Sequence, residues 1–90
     1  MNGQKQREAL SAAERSLTLL EKDRFDDAVA AAGHAAELDQ IGAYVTLPDA
    51  VGAAAGHLRE GRPVPPEVWD RVAGAVGAGP LAAIVDRLRA

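Results

Sequence analysis

The stretch LEKDRFDDAVAAAGHAAELD, residues 20–39, decides the fold. Ahead of it, Leu10, Ala13, Leu17 and Leu20 recur at i, i+3, i+7 and i+10, one stripe of a helix with 3.6 residues per turn, while Glu8, Glu14, Arg15 and Glu21 fall mainly off that stripe. The spacing predicts a helix over residues 4–22. Inside the stretch, Phe25, Val29, Ala32 and Ala36 again share one face, with Asp26 and Asp27 in the first turn, where the helix dipole favours carboxylates. Only Lys22, Asp23 and Arg24 separate the two segments, and helices joined by so short a link lie antiparallel as a hairpin.

Toward the C-terminus the pattern changes side. In a continuous helix, Leu38, Ile41 and Val45 would project about 180° from the Phe25 face. A helix over residues 25–45 must therefore break near 38–42 or present its second half to another neighbour. Leu47-Pro48-Asp49 reads as a fresh start, because proline suits the first helical position and disfavours helix in the residue before it. The helix expected over 48–60 carries Val51, Ala54, Ala55 and Leu58 on one face and ends at Gly61, a C-terminal cap. Residues 61–66, GRPVPP, cannot be helical through their prolines and are expected to run extended. Two more helices follow, over 66–76 (Val68, Trp69, Val72 and Val76, with Glu67 and Arg71 as an i,i+4 pair) and over 80–89 (Leu81, Ile84, Val85, Leu88). No segment alternates with period two over a useful length. The fold class is all-α: a small bundle of four to five helices, built from antiparallel hairpins in a single domain over 1–90.

Composition narrows the function. The chain has ninety residues, so it buries only about two thirds of its unfolded surface, and alanine supplies much of its apolar content. A buried alanine removes little area from water, which leaves the core thin and makes a homodimer the expected state. A net charge of −3 gives no basic surface that could follow a phosphate backbone, so no nucleic acid is expected as a partner. The absence of cysteine excludes disulfides, thiolate metal sites and cysteine nucleophiles. No run approaches the roughly 18 apolar residues of a membrane span, and residues 1–16 carry no apolar segment of signal-peptide length, so the expected location is the cytoplasm, away from any membrane.

Within the chain, AAAGH occurs twice, at 30–34 and 53–57, each time with a glutamate three residues after the histidine: His34 with Glu37, and His57 with Glu60. Residues three apart share a helix side, so two facing copies could offer two imidazoles and two carboxylates to a metal ion. Helical-bundle metal sites use the opposite order, Glu-x-x-His, with further inward carboxylates. His57-Leu58-Arg59-Glu60-Gly61 also resembles loosely the His-x-Leu-Lys-Gly signature of histidine phosphotransfer domains. Its leucine comes one place early, and Glu60 stands where a lysine would steady the phosphate. The plain alternative is two alanine-rich helices written by a GC-rich genome, a bias visible in eight arginines against two lysines. No phosphate loop, His-Glu-x-x-His or Gly-x-Ser-x-Gly occurs, so neither catalysis nor a cofactor is expected.

Leu19 and Leu20 before the turn, Phe25 opening the second helix, Ala28, Ala35 and the closing Glu37-Leu38-Asp39 resemble the turn and second helix of a tetratricopeptide repeat. The resemblance covers residues 10–40, one unit. It departs from the family at Ala12 and Arg15, where an aromatic and a leucine are usual, at Ser16 and Asp23 in place of glycines, and at Gln40 in place of proline. It implies a helical hairpin and a role in binding a peptide segment of another protein. The expected function is a small, non-catalytic protein–protein interaction module. Its expected contact surface combines Leu38, Ile41, Tyr44 and Val45 with Trp69, Leu81 and Leu88, apolar residues in excess of what one alanine-rich hairpin covers. The alternative is a metal-binding or phosphotransfer bundle using His34, Glu37, His57 and Glu60.

Overall fold

The computed structural model describes residues 2–90 and contains five helices: α1 (Asn2–Glu21), α2 (Phe25–Leu38), α3 (Leu47–Arg59), α4 (Pro66–Val76) and α5 (Pro80–Arg89). The fold is an all-α small helical bundle, with no strand among the described residues. Local chemistry sets most of the boundaries. Pro48, Pro66 and Pro80 each sit in the first turn of α3, α4 and α5, where the missing N–H costs nothing. The end of α1 is closed by two backbone bonds, Arg24 N–H to Leu19 C=O at 2.9 Å and Asp23 N–H to Leu20 C=O at 3.1 Å. Asp23 takes the left-handed conformation (φ 60°) that this cap requires and that glycine normally fills. The end of α3 repeats the device with Gly61 at φ 70°, as its glycine predicted: Arg62 N–H reaches His57 C=O at 2.9 Å and Gly61 N–H reaches Leu58 C=O at 3.0 Å.

Each helix packs on its neighbour in sequence, and α5 returns to α1, so the chain closes on itself; α1 also touches α3. The α1–α2 seam is made of small residues, Ala9, Ala12, Ala13 and Ser16 facing Ala28, Ala32 and Ala35, all buried. The larger buried side chains, Leu17, Leu20, Leu47, Val51, Val72 and Val85, lie where the other helices converge. Exposed ion pairs join helices at the rim: Arg59 of α3 with Asp26 of α2, Arg89 of α5 with Asp70 of α4, and a two-bond pair from Arg87 of α5 to Glu21 of α1. Solvent screens such exposed pairs, so they add little to stability.

Two expectations about the first hairpin change. Leu10, assigned to the buried stripe, is 39% exposed, and the buried face of α2 is Ala28, Ala32 and Ala35, with Phe25 and Val29 half-buried beside it. The seam is rotated toward the alanines because they allow the two backbones to approach, while the bulkier residues close its edges. The helix expected over 25–45 ends at Leu38, and residues 39–46 form an irregular loop.

Candidate functional site

The loop 39–46 is organised by one carboxylate. Asp39 Oδ1 accepts the Ile41 N–H at 3.1 Å, and Oδ2 accepts the Tyr44 N–H at 2.5 Å. From α1 the Gln6 side-chain amide donates to Asp39 Oδ1 at 3.0 Å, while its carbonyl oxygen accepts the Gln40 N–H at 2.9 Å. The loop is thus latched to a helix 33 positions earlier in sequence. Desolvation alone would raise the Asp39 carboxyl, but hydrogen bonds from the Tyr44 N–H, the Gln6 amide and the Ile41 and Ala43 N–H groups outweigh it and bring the pKa down to about 2 from 3.8.

Removing this carboxylate has a definite expected result. Asp39→Ala costs about 1–2 kcal/mol, the usual loss for a carboxylate that caps several backbone N–H groups. Because folding lowers the pKa, the ionised carboxylate stabilises the fold fully above 3.8, and that contribution disappears as pH falls toward about 2. Thermal melts of wild type and Asp39→Asn should therefore differ at neutral pH and converge on acidification. A gap that stays constant with pH would show that the charge plays no part in the latch.

The latch decides what the loop exposes. Ile41 is 75% exposed and Val45 71% exposed, while Tyr44 turns inward and is buried in the core. Of the other residues expected on a contact surface, Trp69 and Leu81 are buried as well, and Leu38 and Leu88 are half-buried against the core. Tyr44, Trp69 and Leu81 are therefore core residues: the closed ring of five helices supplies the cover that a single hairpin could not. Of the residues expected on that surface, Ile41 and Val45 are the exposed ones, both on the loop.

The two histidines go to different surroundings. His34 is exposed on α2 and lines an open groove against α1, together with Gln4, Arg7, Glu8, Ser11, Ala12, Arg15 and Leu38. His57 is half-buried on α3 and is absent from that lining; its Nδ1 is buried without a hydrogen-bond partner. Glu60 is engaged by Arg62 through two bonds of 2.9 and 3.1 Å, and Glu37 is exposed. Among the described residues no group of three or more His, Asp or Glu is placed to hold a metal ion. The paired acids Asp26 and Asp27 are likewise engaged, by Arg59 and Arg24.

The groove encloses about 900 Å³ and is broadly open to solvent. It continues along the hairpin over Ala30 and Ala31 to Asp27. Arg7 and Arg15 both line it, and neither makes an ion pair among the described residues. The sequence reading missed this site because its lining comes from the outer faces of two helices, where charged residues look like ordinary solvated surface. Their convergence depends on the antiparallel alignment that the alanine seam sets. No helix of the described residues is long and apolar enough to cross a membrane.

No protein-family model matches the sequence, and no curated protein or solved structure matches it either. The likeness of residues 10–40 to a tetratricopeptide unit accordingly stands on one hairpin alone.

Proposed function

We propose that the chain is a small, non-catalytic helical module that works in the cytoplasm by docking to another protein and that also pairs with itself. The observation that carries this reading is the latched loop 39–46, which holds Ile41 and Val45 at 75% and 71% exposure. Apolar side chains on a floppy loop could fold back onto the protein. Here Asp39 and Gln6 fix the backbone, so the pair stays presented to solvent, and such preorganisation lowers the entropy lost on binding. In a symmetric pair each loop would meet the same patch of its copy across a two-fold axis.

Mass measurement by light scattering over a range of concentrations tests the self-pairing. Wild type is expected as a dimer and Ile41→Asp/Val45→Asp as a monomer of unchanged helicity; a wild-type monomer at millimolar concentration removes that half of the reading. Docking is tested separately at the same loop. The chain has no cysteine, so Val45→Cys gives a single attachment point for a photocrosslinker. A specific crosslinked partner, lost when Ile41→Asp is added, is expected in host extract; failure to crosslink any protein removes the docking role.

A further inference from the structure

We propose that the groove between α1 and α2 is a binding site for an acidic helix of a partner protein. The inference rests on the docking role above but places it on a second surface, independent of loop 39–46. Five of the eight arginines, Arg24, Arg59, Arg62, Arg87 and Arg89, are neutralised by a carboxylate within the chain. Arg7, Arg15 and Arg71 are not, among the described residues, and two of those three converge on one groove beside His34. With Glu8 counted against Arg7 and Arg15, the lining of the groove still carries one net positive charge, against a net charge of −3 for the whole chain. The complementary partner is a carboxylate carrier.

The geometry favours a helix. Arg7 and Arg15 are eight residues apart on α1, a rise of about 12 Å, which matches carboxylates seven or eight residues apart on a second helix lying alongside. Ala12, Ala30 and Ala31 give part of the trough a methyl-lined floor beside the His34 imidazole, and Leu38 adds an apolar side chain to the lining. A small-residue floor lets a helix axis approach to about 8–10 Å. Glu8 sets the polarity: it lies between the arginines without an ion pair among the described residues, whereas Asp27 is held by Arg24. The facing helix therefore carries its acids at the two arginines and a basic or neutral residue between them.

Two other occupants fit less well. A second copy pairing its α1 antiparallel about Ser11 would bring Arg7 against Arg15 and Glu8 against Glu14, like charge against like. A nucleic-acid backbone would meet Glu8 and Asp27 on the rim of a chain that is acidic overall.

The test is fluorescence anisotropy with a labelled alanine-based helical peptide carrying glutamates seven residues apart, beside an otherwise identical lysine peptide. Wild type is expected to bind the glutamate peptide, more weakly as salt rises, and not the lysine peptide. Arg7→Glu/Arg15→Glu should weaken glutamate-peptide binding at least about tenfold and gain binding to the lysine peptide. Circular dichroism checks that this variant folds; should it not, Arg15→Gln on the exposed face carries the same test. Absence of binding at millimolar peptide, equal binding of both peptides, or binding that survives the arginine substitutions would overturn the proposal. Displacement by inorganic phosphate at low millimolar concentration would also overturn it, by making the groove a small-anion site. Ile41→Asp/Val45→Asp should bind the glutamate peptide as wild type does, so failure of the groove and failure of the loop give separate results.

Discussion

Leu17→Ala is expected to lower the melting temperature by roughly 10–30 °C. Leu17 is fully buried on α1, the helix that contacts α2, α3 and α5. Removing a buried leucine side chain costs about 2–5 kcal/mol, and a ninety-residue chain has only about 5–13 kcal/mol of total stability. The fraction lost is large because alanine fills so much of this core. Fully buried side chains of leucine size are few: Leu17, Leu20 and Leu47. The control is Leu10→Ala on the same helix, 39% exposed, where the change should stay within about 0.5 kcal/mol. Thermal and urea melts measure both; a Leu17→Ala loss no larger than that of Leu10→Ala would mean that the helices do not converge on Leu17.

That contrast between Leu10 and Leu17 shows how far the sequence could be read. Both lie on the stripe of apolar positions along α1, and periodicity alone treats them alike. Packing separates them, because α1 docks through Ala9, Ala12, Ala13 and Ser16, and this choice rotates the helix until Leu10 reaches the rim. A reading that weights large apolar residues points at the edges of an alanine seam and misses its centre. The helix ends were more legible. Proline starts and the Gly61 cap act within a few residues, so α3, α4 and α5 lie within a residue of their expected bounds.

Long-range partners were the illegible part. Nothing local to Asp39 announces that Gln6, 33 positions away, will bond it and convert the second half of an apparent helix into a loop. The same distance hides the groove: Arg7, Arg15 and His34 carry no joint signal until α1 and α2 are aligned. It also reversed the assignment of Tyr44, Trp69 and Leu81. They are surplus to one hairpin but fully used once α5 returns to α1 and closes the ring.

Ser16 sits at the centre of that alignment, and its substitutions separate hydrogen bonding from space. Its side chain is fully buried, and its hydroxyl donates to the Ala28 carbonyl of α2 at 2.7 Å. Ser16→Ala keeps the shape and removes the bond, which should cost about 0.5–1.5 kcal/mol. Ser16→Leu pushes three further carbons toward a backbone carbonyl that cannot rotate away as a side chain could. Overpacking typically costs about 1–3 kcal/mol, and the lost bond to the Ala28 carbonyl adds to it, for a total of about 3 kcal/mol. The resulting fall in melting temperature is roughly 12–25 °C, at about 4–8 °C per kcal/mol for a chain of this size. Because the seam also sets the register of α1 on α2, Ser16→Leu should weaken glutamate-peptide binding in the groove even at temperatures where circular dichroism shows full helicity. Ser16→Ala should leave that binding unchanged. If Ser16→Leu melts within a few degrees of Ser16→Ala, the two backbones are not held in close contact, and the small residues of the seam reflect composition alone.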